Sequence, residues 1–130
     1  MPRTIVNGTF DILHSGHLKL LKAAKSLGVV CVAIDSDPRV RQLKGPQRPI
    51  NNCFQRITML KALRYVDYAV VFHSDNELRQ IIREWQPDFM VKGSDYIDKP
   101  IVGEELVKKI IFIDITDDST TKIIQSISNR

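Results

Sequence analysis

The chain has 130 residues, of which 43% are hydrophobic, and 19 Lys+Arg against 15 Asp+Glu give it a formal net charge of +4. The length fits one domain, residues 1–130, and the composition excludes a disordered, collagen-like or low-complexity chain. The charge is too small to indicate nucleic-acid binding by itself, and no run of about 18 apolar residues indicates a membrane span.

The N-terminus shows no secretory pattern, because it leads directly into a strand-like segment. The two cysteines, Cys31 and Cys53, have neither metal-ligand spacing nor the pattern of a disulfide framework. We therefore expect a cytoplasmic protein.

Short apolar runs separated by helical patterns predict the fold. Five runs read as buried strands of a parallel sheet, at 4–6, 29–34, 69–72, 89–91 and 110–113. Helices are predicted from about Gly16 to Gly28, over 52–63, from a Ser74/Glu77 capping box to before Pro87, and over 119–128. The alternation predicts an α/β fold: a Rossmann-like, doubly wound, parallel five-stranded sheet with helices on both faces.

Two stretches, 36–50 and 93–103, interrupt this alternation and are predicted to be loops. The first holds four basic residues and three prolines, and the second is polar with Gly, Asp, Tyr and Pro. Both follow strands. In an open α/β sheet ligands bind beyond the carboxyl ends of the strands, so these loops are candidates for a site.

The strongest chemical signal is the run GTFDILHSGH at 8–17, which follows the first predicted strand. Its histidines, His14 and His17, flank Gly16 where the first helix begins, and Gly8 ends the strand. A helix N-terminus has unpaired N–H groups and the positive end of the helix dipole, so it suits an anion. A lone histidine there would be more typical of a cap, but the pair with its glycines indicates a phosphate site. Neither a Walker P-loop nor G-x-G-x-x-G is present.

This run resembles the G-T-F-D-x-x-H-x-G-H signature of the HxGH nucleotidyltransferase superfamily, and SDPRVRQLKGPQRPI, PDFMVKGSDY and STTKII extend the resemblance over nearly the whole chain. LKGPQRPI and KGSDY make the chain most similar to the adenylyltransferase domain of bacterial ADP-heptose synthase, which makes ADP-glycero-manno-heptose. Glycerol-3-phosphate cytidylyltransferase and archaeal FAD synthetase are near neighbours. The resemblance implies transfer of AMP from ATP to a sugar 1-phosphate, with release of pyrophosphate.

Such a reaction needs positive charge around the phosphates and no general base, because a phosphate monoester is largely a dianion at neutral pH. On this resemblance, the expected catalytic residues are His14, His17 and Lys44. The expected nucleotide-binding residues are Gly8, Thr9, Phe10, Gly16, Arg56, Lys92, Gly93, Asp95, Ser119, Thr120 and Thr121. Asp11 is expected to brace the turn or to bind magnesium or the acceptor. Mg²⁺ would accompany ATP. The expected partners are these small molecules and a second copy in a homodimer, with no nucleic acid or membrane.

Two alternatives stay open. One is another substrate pair, either CTP with glycerol 3-phosphate or ATP with FMN. The cytidylyltransferases carry Arg-Thr-Glu-Gly-Ile where this chain has Asp-Ile-Thr-Asp-Asp at 114–118, which argues against CTP. The other alternative is a non-catalytic nucleotide-binding module, because Asp117 and Asp118 add negative charge near the predicted triphosphate site.

Overall fold

The computed structural model describes residues 1–115 and Ile124. The strands are β1 Arg3–Gly8, β2 Val29–Asp35, β3 Tyr68–Phe72, β4 Phe89–Gly93 and β5 Lys109–Ile113. The helices are α1 Ser15–Leu27, α2 Asp37–Lys44, α3 Cys53–Lys61 and α4 Asp75–Trp85, with short 3₁₀ turns at Ser94–Tyr96 and Glu104–Leu106. All strand pairs are parallel, in the order β3-β2-β1-β4-β5.

Helices cover both faces of this sheet, so the central strands are apolar along almost their whole length. On one face Leu21 of α1 and Leu60 of α3 pack in a cluster with Val6, Val32 and other strand residues. On the other face Leu78 and Ile82 of α4 pack with Ile5 and other strand residues. The predicted fold class is confirmed. Among the described residues, no helix has the length and apolar character to cross a bilayer.

The prediction that 36–50 is entirely a loop is wrong, because its first half forms α2. Ser36 caps this helix by accepting from the N–H of Arg39, and Pro38 lies in its first turn. Proline is compatible with a first turn, where its missing N–H has no intrahelical partner. Gly45, at φ 108°, ends the helix, so Lys44 is the last helical residue and not a loop residue.

The other predicted helices differ from the structure only near their ends. Helix α1 begins at Ser15 with His14 as its N-cap, and Gly28 ends it as predicted. In α4, Ser74 accepts from the N–H of Glu77 as predicted, but the Glu77 carboxylate bonds the exposed His73 ring at 2.9 Å. The helix predicted over 119–128 lies outside the described residues, apart from Ile124, which is helical.

The strand order creates one switch point. From β1 the chain adds β2 and β3 on one side and then returns to place β4 on the other side. The loops that follow β1 and β4 therefore diverge to opposite faces and leave a crevice at the carboxyl ends of the strands, which is where ligands bind in such sheets.

Candidate functional site

A cavity of about 470 Å³ lies at this crevice, within the range typical of small-molecule sites. It brings together residues from three loops that follow different strands. The sequence-predicted residues that line it are Gly8, Thr9, Phe10, Asp11, His14, His17, Lys44, Lys92, Gly93 and Asp95. The stretches after β1, β2 and β4, selected from the sequence for this position, thus meet in one place.

His14 and His17 each use their Nδ1 atom in the N-terminal cap of α1. The His14 Nδ1 atom accepts from the N–H of Gly16 at 3.1 Å, and the His17 Nδ1 atom accepts from the N–H of His14 at 3.2 Å. This reciprocal arrangement is a capping box built from imidazoles. The ring centroids lie 3.9 Å apart, and both rings line the cavity.

The capping bonds determine which nitrogen carries hydrogen. A nitrogen that accepts a hydrogen bond is unprotonated, so the neutral form of each ring carries its hydrogen on Nε2. Burial and, to a smaller extent, the nearby His14 ring lower the pKa of His17 to about 4. At neutral pH His17 is therefore an uncharged N–H donor at the N-terminus of a helix.

Phe10 packs against the His17 ring. Its backbone lies in the left-handed region at φ 51°, which is uncommon for a bulky residue and indicates a turn held by its surroundings. The Phe10 ring is 4% exposed and lies 4.9 Å from the His17 ring, centroid to centroid. A Cβ atom on Gly8 would meet the same ring at 3.2 Å, so glycine at position 8 leaves room for it.

Positive charge enters the cavity from the segment that follows β2. The exposed Lys44, at the end of α2, and the largely buried Arg48 both line it. The Asp11 carboxylate accepts from Arg48 Nε at 3.1 Å and from the N–H groups of Ile50 and Asn51, each at 2.8 Å. Of the roles expected for Asp11, the structure shows the brace, because this buried carboxylate ties the turn after β1 to the segment that carries Arg48.

The structure does not bring Arg56 or Gly16 to the cavity wall. The Arg56 side chain is 0% exposed, and its nitrogens donate to the carbonyls of Asn51, Thr9 and Asp35 and to the Asp37 carboxylate. These bonds occupy the guanidinium within the fold, and the phosphate contact predicted for Arg56 stays a prediction. Gly16 is buried beneath the histidines in the first turn of α1. Ser119, Thr120 and Thr121 lie outside the described residues.

Five polar cavity residues were not selected from the sequence: Asn7, Asp35, Arg39, Arg48 and Tyr96. Asp35 is 7% exposed, and Arg39 Nε donates to it at 2.7 Å. A signal was present for two of them, because Asn7 and Asp35 are the polar residues that close the apolar runs of β1 and β2. A polar residue at the carboxyl end of a buried strand lies at the ligand edge of the sheet.

Lys92 is the buried cation of the site. It is 8% exposed, and its ammonium lies 4.6 Å from the centre of the Tyr96 ring. Burial lowers the pKa of Lys92 to about 8, although the charges of Asp35 and Asp95 oppose this shift. Gly93 allows the following turn to fold back, since a Cβ there would lie 2.6 Å from the Asp95 carboxylate.

The chain matches the protein family described as cytidylyltransferase-like over residues 5–126. The chain belongs to this family. Its members are nucleotidyltransferases, so the predicted family and the predicted enzyme class are confirmed.

Relatives of this cytidylyltransferase-like chain include longer proteins. It is 47% identical over 126 residues to the bifunctional protein HldE of Campylobacter jejuni subsp. doylei, covering 95% of the chain and 27% of that protein. It is 46% identical over 123 residues to the protein of the same name from Helicobacter hepaticus, covering 93% and 25%. The chain thus spans about a quarter of the length of these relatives.

A solved structure of similar size supports the fold. The lipopolysaccharide core biosynthesis protein from Thermoplasma volcanium GSS1 matches with a TM-score of 0.73 and 29% identity, over 88% of this chain and 98% of that one. Because the match covers nearly all of that protein, the two chains share almost the whole of its fold.

Proposed function

We propose that the chain transfers AMP from ATP to a sugar 1-phosphate, such as glycero-manno-heptose 1-phosphate, and releases pyrophosphate. The observation that carries the proposal is the pair of imidazoles that cap α1 in the cavity, each with its neutral-form hydrogen on Nε2. The choice of ATP and of a sugar phosphate rests on the similarity to the HldE proteins and on the segments LKGPQRPI and KGSDY.

The chemistry needs position and charge more than proton transfer. An oxygen of the acceptor phosphate forms a bond to the α-phosphorus, and the bond from that phosphorus to the α,β-bridging oxygen breaks, so pyrophosphate leaves with the electron pair. Negative charge grows on the α- and β-phosphates during this step. N–H donors of His14 and His17, together with the N-terminus of α1, are suited to stabilise it.

Lys44 and Arg48 supply charge that the neutral His17 lacks. Both line the same cavity, and Asp11 holds Arg48 in place at 3.1 Å. A phosphate that binds between these cations and the N-terminus of α1 would be oriented from two sides. Orientation of this kind contributes strongly to phosphoryl transfer, which depends on alignment of the attacking and leaving oxygens.

Mg²⁺ would enter as the complex with the triphosphate. Within residues 1–115, no group of three His, Cys, Asp or Glu side chains is arranged to hold a metal ion. Mg²⁺ is commonly held by substrate phosphates with one or two carboxylates, and this donor set fits the cavity. Asp95 is the exposed carboxylate at the cavity that would share in its coordination. The predicted homodimer and cytoplasmic setting stay predictions.

The test is pyrophosphate release from a matrix of substrates. ATP and CTP are each combined with Mg²⁺ and with glycero-manno-heptose 1-phosphate, mannose 1-phosphate, glycerol 3-phosphate or FMN. We expect release with ATP and a sugar 1-phosphate, and little with CTP. Turnover only with CTP and glycerol 3-phosphate, or only with ATP and FMN, would replace the proposed substrates. Tight nucleotide binding without release for any acceptor would indicate a non-catalytic module.

A further inference from the structure

Three buried polar side chains lie together in the cavity at the ends of neighbouring strands: Asn7 on β1, Asp35 on β2 and Lys92 on β4. Each stands two residues beyond a member of the apolar cluster on the α4 face, namely Ile5, Ala33 and Met90. Side chains two apart on a strand point to the same face, so all three polar groups face the α4 side of the sheet. We call them the strand-end cluster.

The pairing of β1 with β4 places Asn7 and Lys92 side by side across the switch point. Ile5 pairs with Met90 in the parallel β1–β4 ladder. Two residues further along each strand, Asn7 and Lys92 therefore stand at the same height on either side of the crevice. This half of the cavity differs from the histidine half, which lies over the N-terminus of α1.

The strand-end cluster has hydrogen-bonding capacity that the described residues leave unused. The Asn7 Oδ1 atom is buried and has no hydrogen-bond donor among them. Lys92 is 8% exposed, and the face of Tyr96 is its close neighbour, while the charge of Asp35 acts on it from further away. Buried polar atoms are nearly always paired in folded proteins, so an unpaired acceptor and a buried cation facing one cavity indicate a missing polar partner.

Asp35 adds a second acceptor that is held in position. Arg39 Nε donates to Oδ1 at 2.7 Å, and the Thr9 hydroxyl donates to Oδ2 at 3.4 Å. A carboxylate has about four acceptor sites, so these two bonds leave capacity for a ligand donor. The Asp35 carboxylate disfavours a phosphate in this half of the cavity, whereas Lys44 and Arg48 favour one in the histidine half.

We propose that the strand-end cluster binds two neighbouring hydroxyl groups of a sugar. A hydroxyl both donates and accepts, so one sugar edge can donate to Asn7 Oδ1 and to Asp35 while it accepts from Lys92. The wall beside the cluster is apolar, formed by Phe72 and Ile101, which suits the C–H face of a sugar ring. This inference rests on the proposed function, because the hydroxyls belong either to the ribose of the nucleotide or to the sugar of the acceptor.

The test compares ligands that differ by one hydroxyl. Isothermal titration calorimetry gives Kd for ATP against 2′-deoxy-ATP and 3′-deoxy-ATP, and for glycero-manno-heptose 1-phosphate against its single-deoxy analogues. In the parent chain, we expect removal of one recognised hydroxyl to weaken binding about 10- to 100-fold, since a buried partner is then left unpaired. Two variants remove the cluster's groups at similar volume, Asn7→Leu and Lys92→Met.

The variants should abolish this discrimination. In Asn7→Leu or Lys92→Met, the hydroxylated ligand and its deoxy analogue should bind within about 3-fold of each other. The matched control is Asn76→Leu, the same change at an exposed position of α4, which should keep the parent's discrimination. If one variant fails to fold, the other tests the same bond network independently.

The ligand series that discriminates identifies the source of the hydroxyls. Loss of discrimination for the deoxy-ATP pair places ribose at the cluster, and loss for the heptose series places the acceptor there. If, in the parent chain, every deoxy analogue of both series binds as tightly as its hydroxylated ligand, the strand-end cluster does not bind sugar hydroxyls, even if nucleotidyl transfer is observed. Discrimination between hydroxylated and deoxy ligands without any pyrophosphate release would instead overturn the proposed function, while the assignment of sugar hydroxyls to the strand-end cluster would hold.

Discussion

The Nδ1 atom of His17 accepts a hydrogen bond from the backbone N–H of His14 at 3.2 Å, while the His14 ring caps the same helix through its own Nδ1. The ring nitrogen used for capping cannot carry a proton at the same time. Helix capping and the charge state of the site are therefore coupled, because protonation of His17 on Nδ1 would remove the bond that orients its Nε2 donor.

This coupling predicts acid sensitivity. The pKa of His17 is about 4 in the folded chain, against 6.5 for a free histidine. Between these pH values the unfolded chain binds the proton and the folded chain does not, so stability falls as pH decreases from 6.5 to 4. The loss attributable to His17 is about 3 kcal/mol. Urea unfolding followed from pH 7 to pH 4 measures it, with His17→Asn as the variant that cannot titrate. Equal pH dependence in both proteins would contradict the coupling.

Substitution of His17 separates its two roles. Asparagine carries an acceptor near the position of Nδ1 but no donor near that of Nε2, whereas alanine carries neither. We expect both variants to lower kcat by about 10²- to 10³-fold, as for loss of a donor to developing negative charge. His17→Ala should also lose about 1 kcal/mol of stability through the missing cap, and His17→Asn should lose less.

The control for this pair is His73→Asn. His73 is exposed, its ring bonds Glu77 on the surface of α4, and it does not line the cavity. Its substitution should leave kcat within about 2-fold of the parent, because surface changes of this kind have small effects. A full-activity His17→Asn enzyme would remove the imidazole donor from the mechanism.

Arg56 is expected to matter for folding. Four acceptors surround its fully buried guanidinium, including the Asp37 carboxylate at 2.6 Å. Arg56→Met would leave that carboxylate and three carbonyls without their donor, at a cost of about 3–5 kcal/mol. Urea unfolding measures the loss, and Arg83→Met, at an exposed position of α4, should change stability by less than about 0.5 kcal/mol. A stable Arg56→Met chain with weakened ATP affinity would restore the phosphate role predicted from sequence.

The contrast between His17 and Arg56 shows what the sequence can reveal. His14 and His17 are three positions apart in one turn, so their meeting at a helix N-terminus follows from local rules and could be predicted. The strands could be predicted because both of their faces are apolar. Three of the four partners of Arg56 come from the ends of β1 and β2 and from α2. Helix α2 itself was hard to predict because it contains Pro38 and has one buried residue, Val40. Such contacts depend on tertiary packing, which a residue pattern does not encode.

Asn7 and Asp35 of the strand-end cluster were missed for the same reason. Asn7 and Lys92 become neighbours only through the β1–β4 pairing, which depends on strand order. The apolar runs predict five strands but contain no signal for which two are adjacent. A polar residue that closes a buried strand is a usable sign of the ligand edge, and Asp35 carries that sign.

Lys44 should act on affinity without affecting the fold. It is exposed at the C-terminus of α2 and lines the cavity. Lys44→Met should raise KM for the phosphorylated substrates about 10-fold and weaken the dependence of KM on salt, while the urea midpoint stays unchanged. The control, Lys61→Met, removes the same charge from the last residue of α3, outside the cavity lining. Similar KM values in the two variants would show that Lys44 acts only as surface charge.

The buried ammonium of Lys92 should lower the stability of the folded chain at neutral pH. Its pKa is about 8 when folded and 10.5 when free, so from pH 8 to pH 10.5 the unfolded chain binds more protons and stability rises with pH. Below pH 8 the full penalty of about 3 kcal/mol applies. Lys92→Met should therefore be more stable than the parent at pH 7, and the gain should shrink as pH approaches 10.5, while discrimination between hydroxylated and deoxy ligands is lost. Unfolding curves at pH 7 and pH 10 measure the first effect, and a less stable Lys92→Met chain at pH 7 would show that the ammonium is already compensated within the fold.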